Sequence, residues 1–195
     1  MADGTLKVGT ITTSSGSGTI TLGQSGETIT IPSGATINMS SATQTGVGGA
    51  NTPAFYGELA SNTTISRNSY VKVTGLTNDE VDTDTAFDGT TFTVPSGEGG
   101  KYFLYASIQV DYELAGDDGE EARYYIYKNG SEIKEAKWRV TGSHVNRYTA
   151  LSVSMTATLS ASDTIELYTL LNDDSGADAR LLANATSIGG YRIIE

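Results

Sequence analysis

Apolar side chains recur at every second position through the longest hydrophobic runs of this 195-residue chain. In residues 101–112 every second position is apolar: Tyr102, Leu104, Ala106, Ile108, Val110 and Tyr112. Residues 149–159 repeat the pattern with Leu151, Val153, Met155, Ala157 and Leu159. A period of two places such residues on one face of a β-strand. The pattern therefore predicts an all-β protein with a half-buried sheet.

Turn-forming segments separate these runs. Further candidate strands lie at residues 71–75, 90–95, 123–130, 164–171 and 190–195. Segments rich in Gly, Asp, Asn and Ser lie between them, at residues 78–84, 96–100, 115–121, 128–131, 160–163 and 172–178. Many short strands at regular spacing, without a helical period, predict an antiparallel sandwich, barrel or jelly roll.

A short repeat occupies the first forty residues. GTIT occurs at residues 9–12 and 18–21, ETIT at 27–30 and GATIN at 34–38. The repeat places Ile11, Ile20, Ile29 and Ile37 about nine residues apart, with glycine-rich links between them. Each copy predicts a strand of about four residues followed by a turn. Such a thin repeat is typical of a fibre shaft.

This segment lacks the means to fold alone. Residues 1–50 contain no aromatic residue and only three charges, Asp3, Lys7 and Glu27. Ordering fifty residues costs roughly 50–100 kcal/mol of backbone entropy, whereas burying about ten aliphatic side chains returns about 15–30 kcal/mol. We therefore expect the segment to order against other copies of the chain or a larger partner. A flexible linker is the alternative interpretation.

The composition changes abruptly near residues 46–53. All sixteen aromatic residues follow this point, beginning at Phe55. We therefore divide the chain into a β-repeat shaft, residues 1–50, which attaches to a particle, and a head domain, residues 51–195. A domain of about 145 residues buries roughly 70% of its unfolded surface.

Four motifs of the head occur in a recognisable order: TVPSGEGGKYFLYASI (93–108), YIYKNGSEI (125–133), SMTATLSASDTIELYTL (154–170) and GGYRII (189–194). Together they resemble the globular head of complement C1q and its tumour-necrosis-factor-like relatives. The resemblance implies a two-sheet jelly roll, adjacent first and last strands, and a homotrimer. Residues 51–65 and 81–95, behind a Ser/Thr/Gly repeat, are similar to C1q-like modules in fibres of aquatic bacteriophages.

Charge and cysteine content exclude several classes of partner. The net charge of −11 disfavours binding to nucleic acid or anionic membranes. The chain has no cysteine, so it forms no disulfide. Because it shows no signal peptide and no apolar run of membrane-spanning length, we expect assembly in the host cytoplasm, incorporation into a virion and no membrane insertion.

Catalytic and metal chemistry find little support in the sequence. His144 is the only histidine and lies in a predicted surface turn. The Glu120–Glu121 pair offers the two carboxyl groups that a glycosidase uses as acid and base, but a compact jelly roll offers little room for a sugar groove. Asp82, Asp84 and Asp88 are candidate calcium ligands, although solvated loop charge is the preferred interpretation. We expect no enzymatic activity and no obligatory cofactor.

Aromatic residues are the remaining candidates for binding. Eleven tyrosines against four phenylalanines is typical of a binding surface. We nevertheless expect most of Tyr102, Tyr112, Tyr125 and Tyr127 to line the core and trimer axis. Trp138, between Lys137 and Arg139, is a candidate contact for a glycan or protein.

The sequence thus predicts a non-enzymatic, homotrimeric phage appendage. Its N-terminal segment would bind other virion proteins, and its C-terminal head would face the host receptor. The alternatives are a capsid head fibre or decoration protein that stabilises the shell and, less favoured, a polysaccharide depolymerase.

Overall fold

The computed structural model describes residues 9–11, 18–38, 51–112, 119–140, 147–173 and 178–193. The chain divides into two units, Met1–Thr45 and Gly46–Glu195. The boundary predicted at residue 50 and the glycine-rich joint at residues 46–49 fall outside the described residues.

Two predicted turns are present in the first unit. The Glu27 amide donates a hydrogen bond to the Gln24 carbonyl at 3.0 Å, and the Ala35 amide donates to the Pro32 carbonyl at 3.1 Å. Gly26 and Gly34 lie within these turns at φ values of 87° and 85°. Glycine populates this left-handed region without steric cost, which explains its placement in the repeat.

The isoleucines of the repeat are exposed in the single chain. Ile11, Ile20, Ile29 and Ile37 are between 44% and 56% exposed. The four-residue strands predicted for the repeat are not formed within residues 9–11 and 18–38. A strand is defined by its ladder of hydrogen bonds to a neighbour, and none of the described strands pairs with these segments.

The second unit contains twelve β-strands and no helix within its described residues. The strands are β1 (Ala54–Glu58), β2 (Thr63–Ile65), β3 (Val71–Lys72), β4 (Asn78–Asp82), β5 (Thr91–Thr93), β6 (Gly100–Asp111), β7 (Gly119–Lys128), β8 (Ser131–Arg139), β9 (Tyr148–Leu159), β10 (Thr164–Asp173), β11 (Ala179–Leu181) and β12 (Ser187–Arg192). No helix suited to crossing a bilayer occurs in the part of the chain that the structure describes.

The strands form two sheets, and every pairing is antiparallel. In the first sheet, β4, β1, β12, β6 and β9 are successive neighbours, and β11 and β2 extend from the end of β6. In the second sheet, β8, β7 and β10 are neighbours, and β3 and β5 share the far side of β10. The first and last strands, β1 and β12, pair directly, as the resemblance implied.

The hydrophobic core contains the alternating face predicted for β6. The six apolar residues of this face, Tyr102 to Tyr112, are each at most 2% exposed. The predicted face of β9 also turns towards the core, but Leu151, Val153, Met155 and Ala157 are only partly buried because β9 is an edge strand. Phe55 stacks on Phe92 across the core, with ring centroids 4.1 Å apart.

One sequence-based assignment is wrong, and another is confirmed for part of its residues. Residues 78–84 were predicted as a turn, yet Asn78–Asp82 forms β4 and pairs with β1. A polar sequence is tolerated there because β4 is an edge strand. Of the tyrosines expected in the core, Tyr102 and Tyr112 lie in it. Tyr125 is buried but lies with Tyr127 on the face of β7 opposite the core residues Tyr124 and Ile126.

Candidate functional site

Each sheet has an outer face that points away from the core, and the two outer faces differ in chemistry. On β6, the residues between the buried positions are Phe103, Tyr105, Ser107 and Gln109. Cross-strand register adds residues from the neighbouring strands to this first-sheet outer face: Tyr56, Glu58, Ala150, Ser152, Ser154, Thr156, Ser187, Gly189 and Tyr191. The face therefore combines aromatic rings with small hydroxyl-bearing side chains.

The aromatic rings of the first-sheet outer face contact one another. Tyr105 lies 6.4 Å from Tyr56 and 6.1 Å from Phe103, and Phe103 lies 5.6 Å from Tyr191, between ring centroids. Gly189 makes this arrangement possible, because a Cβ atom there would lie 2.5 Å from the Tyr105 ring. The final Gly-Gly-Tyr motif thus creates the space in which Tyr105 packs.

Charged side chains lie mainly at the two ends of this face, with Lys101 at one end of β6 and Asp111, paired with Arg180, at the other. Glu58 is the one charged residue in its centre among the described side chains, and it accepts a hydrogen bond from the Tyr56 hydroxyl at 2.9 Å. Burial raises the pKa of Tyr105, and the nearby Tyr191 raises it further. Burial also raises the pKa of Tyr56. These rings are already partly removed from water in one chain.

The second-sheet outer face carries tyrosines and charges together. Register across β3, β7, β8 and β10 places the following side chains on it: Lys72, Glu121, Arg123, Tyr125, Tyr127, Glu132, Glu135, Lys137, Arg139, Glu166 and Tyr168. Tyr70, two residues before Lys72, covers Tyr125 with ring centroids 5.5 Å apart.

Four tyrosines form a continuous group on this face. Tyr127 stacks on Tyr168 at a centroid distance of 4.3 Å and contacts Tyr125 edge-on at 6.1 Å. Tyr70 is 58% exposed, Tyr127 and Tyr168 are half-buried, and Tyr125 is only 1% exposed. We define Tyr70, Tyr125, Tyr127 and Tyr168 as the tyrosine group. Three of its four rings reach solvent.

Ion pairs hold the charged side chains around the tyrosine group. The Glu121 carboxylate accepts hydrogen bonds from Arg123 and Lys137, both at 2.8 Å, and Lys72 lies 2.6 Å from Glu166. Burial alone would raise the pKa of Glu121, but the bonds from Lys137 and Arg123 outweigh it and leave the pKa below its usual value. Glu121 is therefore ionised and fixed in place at neutral pH.

Two buried polar atoms lie beneath the tyrosine group. The Tyr125 hydroxyl and Arg123 Nε have no hydrogen-bond partner among the described residues. Burial raises the pKa of Tyr125, as does the adjacent Tyr70, whereas Arg123 lowers it. A buried donor without a partner costs about 1–3 kcal/mol.

Two of the motifs that carried the resemblance meet at one end of the second sheet. In the KNG hairpin turn, Asn129 and Gly130 have φ values of 51° and 74°. The Asp163 carboxylate accepts hydrogen bonds from Asn129 Nδ2 and the Ser160 amide, both at 2.7 Å, and lies 2.8 Å from Lys128 Nζ. The motif residues thus join the β7–β8 hairpin to the turn before β10.

The carboxylates of the candidate calcium ligands accept hydrogen bonds from groups within their own loop. Asp82 accepts hydrogen bonds from the amides of Ala86 and Phe87, and Asp88 accepts from those of Thr90 and Thr91. The Asp84 carboxylate accepts a hydrogen bond from Thr83. No group of three acidic or histidine side chains suited to a metal ion occurs within the described ranges.

The other predicted site residues are dispersed. Trp138 packs against the core and is half-buried, so only part of its ring faces solvent, and its role as a contact stays a prediction. Glu121 belongs to the ion pairs described above, beside Glu120 on β7. His144 lies outside the described residues. The tyrosine group was not predicted, although the core positions Ala122, Tyr124 and Ile126 assign Tyr125 and Tyr127 to the other face of β7.

Neither a family model nor a curated protein matches this chain. Solved structures do match it. The crystal structure of murine APRIL at pH 5.0 superposes with a TM-score of 0.52 at 12% identity, covering 72% of this chain and 98% of that one.

Two further solved structures have a similar fold. The globular domain of the zebrafish complement 1qA protein gives a TM-score of 0.50 at 12% identity and covers 72% of this chain and 97% of its own. The Eiger TNF structure from S. frugiperda gives 0.50 at 11% identity, covering 72% and 91%. At these identities the likeness concerns the fold, and the second unit is a jelly roll of the TNF and C1q type.

Proposed function

We propose that the second unit assembles as a homotrimer through its first-sheet outer face. The observation that carries this proposal is a face whose centre holds interlocked aromatic rings and one charged side chain, Glu58, on a chain with a net charge of −11. Subunit interfaces are depleted of charge and enriched in aromatic residues at their centre. The TNF and C1q type of fold, whose members typically form homotrimers, supports the same assembly.

We further propose that the trimer is a non-enzymatic appendage of a bacteriophage particle. The isoleucine repeat supports this, because Ile11, Ile20, Ile29 and Ile37 are exposed in one chain and three parallel copies would bury them. In this role the N-terminal segment contacts other virion proteins, and the heads contact the host surface. Three equivalent heads strengthen weak contacts through avidity.

Light scattering on the full chain tests the assembly. We expect a mass three times the 20.4 kDa of the chain. A mass of one chain at micromolar concentration would contradict the trimer.

Electron microscopy of the parent particle with an antibody against this chain tests the location. We expect label on tail appendages. Label at regular positions over the capsid would instead identify a head fibre or decoration protein, and an unlabelled particle would contradict a virion role.

A further inference from the structure

We propose that the second-sheet outer face binds a neutral carbohydrate, with the tyrosine group as its stacking platform. This inference rests on the proposed function, in which the heads face the host surface. It assigns the binding to one face of the domain and to one chemical class of ligand.

The exposed tyrosine rings provide the apolar part of such a site. The C–H groups of a pyranose ring carry partial positive charge and pack against the negative face of an aromatic ring. Tyr70 is 58% exposed, and Tyr127 and Tyr168 are half-buried and already stacked at 4.3 Å. Tyrosine has few rotatable bonds, so presenting these rings costs little conformational entropy.

Fixed polar groups beside the rings provide hydrogen bonds for sugar hydroxyls. Lys72 is bound to Glu166 at 2.6 Å and to the Thr91 hydroxyl at 2.8 Å, next to Tyr168 in the cross-strand register. Glu132 lies opposite Tyr127. Carboxylates accept and ammonium groups donate hydrogen bonds, so the two types together match hydroxyls that do both.

The charge balance of the face favours a neutral ligand. Its charged side chains comprise four cations and four anions among the described residues: Lys72, Arg123, Lys137, Arg139, Glu121, Glu132, Glu135 and Glu166. The chain as a whole has a net charge of −11. A polyanionic ligand would meet no cationic excess here and would be repelled by the rest of the molecule.

The same charges distinguish this face from a subunit interface. Burying eight charged side chains between copies would carry a large desolvation cost. The first-sheet outer face carries one charge in its centre, and its other charges, Lys101, Asp111 and Arg180, lie at the ends of β6, where burial between copies costs less. The second-sheet outer face is thus the one that stays accessible in the trimer.

The buried atoms beneath the platform supply an independent reason to expect a ligand or water there. The Tyr125 hydroxyl and Arg123 Nε lack partners within the described residues. A native structure rarely leaves such atoms unsatisfied.

Affinity gel electrophoresis of the full chain tests the proposal. The gels contain dextran, mannan, galactan or xylan as neutral probes and alginate or polygalacturonate as acidic probes. We expect at least one neutral polysaccharide to retard the wild-type protein and neither acidic one to do so. Retardation by no neutral probe, or by the acidic probes alone, would overturn the proposal.

Variants of the platform locate the binding. For Tyr70→Ala and for the double variant Tyr127→Ala/Tyr168→Ala, we expect affinity for the retarding polysaccharide to fall at least about fivefold. The matched control, Tyr127→Phe/Tyr168→Phe, keeps both ring faces and should stay within about threefold of wild type. Unchanged affinity in the alanine variants would overturn the proposal.

Tyr70→Ala keeps the test valid if the double variant does not fold, because the Tyr70 ring is mostly exposed. Circular dichroism and light scattering on each variant verify the fold and mass. The two proposals fail differently: a trimer that no neutral probe retards overturns the carbohydrate site alone, whereas a retarded monomer overturns the trimer alone.

Discussion

Tyr124 and Tyr125 are adjacent in the chain and equally buried, at 0% and 1% exposure, but they lie on opposite faces of β7. The Tyr124 hydroxyl donates a hydrogen bond to the Ala106 carbonyl at 2.9 Å and so links the two sheets. The Tyr125 hydroxyl has no partner within the described residues. Comparing a phenylalanine substitution at each of the two positions therefore measures the contribution of the Tyr124 hydrogen bond to stability.

We expect Tyr124→Phe to lower the free energy of unfolding by about 0.5–1.5 kcal/mol, because it removes this bond and leaves the Ala106 carbonyl with one partner fewer. Tyr125→Phe should leave that free energy unchanged or raise it, since it removes an unsatisfied hydroxyl. Urea unfolding at one protein concentration measures both. Equal losses in the two variants would contradict this account.

For single residues, the sequence predicted whether a side chain is buried better than it predicted which face of the sheet the side chain lies on. The alternation in residues 101–112 identified the core side of β6 because Ser107, Gln109 and Asp111 mark the other side. In β7, tyrosines occupy positions 124, 125 and 127 and therefore both faces. Tyrosine packs well in a core and on a surface, so its identity alone does not assign the face.

Among the elements, the β7–β8 hairpin and the turn before β10 are joined by Asp163. Hydrogen bonds from Lys128, the Ser160 amide and Asn129 lower the pKa of Asp163 from 3.8 to about 2. The folded state therefore binds this proton less tightly than the unfolded chain does. The resulting stabilisation is complete above pH of about 4 and is lost as the pH falls through about 2.

We expect Asp163→Asn to lower the free energy of unfolding by about 1 kcal/mol at pH 7, after allowance for solvent screening. The difference from wild type should shrink between pH of about 4 and pH of about 2. Urea unfolding across this range measures it. Lys128→Met removes the hydrogen bond that lowers the pKa of Asp163 most, so its free energy of unfolding should depend less on pH than that of wild type. A loss of stability in Asp163→Asn that does not change with pH would contradict this linkage.

The edge strand β9 presents a row of small residues on the first-sheet outer face, including Ser152, which is exposed and pairs with Ser107. Three copies in close contact have no room for a long charged side chain. We expect Ser152→Arg to reduce the mass in light scattering from three chains to one.

Glu132→Arg on β8 is the control for this substitution, because it changes charge on an exposed strand of the second sheet. We expect it to remain trimeric. Circular dichroism of Ser152→Arg should show an intact β-sheet spectrum, and a trimeric Ser152→Arg protein would refute the assignment of the interface.

Some elements were predictable and others were not. The Asn-Gly pair identified the hairpin turn at residues 129–130, and both residues have positive φ in the structure. β4 was missed because Asn78, Asp79 and Glu80 have low strand propensity, and its pairing with β1 depends on contacts distant in sequence.

For the whole molecule, the first unit is expected to order only upon assembly. We predict that removing residues 1–50 leaves a folded head, measured by circular dichroism, that no longer joins the particle. In the full chain, Ile20→Asp/Ile29→Asp should increase cleavage of the first forty residues by protease, because charged side chains oppose burial between copies.

Thr21→Ser/Thr30→Ser, beside the same isoleucines, serves as the matched control and should retain wild-type protease resistance.

For the truncated head, normal incorporation into particles would disprove the attachment role of the first unit.

At this scale the sequence predicted the all-β class and the jelly roll, because strand periodicity and the four ordered motifs extend across most of the head. It did not predict which outer face is apolar and which is charged. That division depends on which strands share a sheet: Lys72, Glu166 and Lys137 are far apart in sequence and become neighbours only through β3, β10, β7 and β8.

The position of β12 has a consequence for biosynthesis. This strand lies between β1 and β6, in the middle of the first sheet, although it is the last strand of the domain. While a ribosome still holds Ser187–Arg192, the two halves of the sheet have no common neighbour and their apolar faces stay unprotected. The nascent domain therefore exposes apolar surface to aggregation until β12 has left the ribosome.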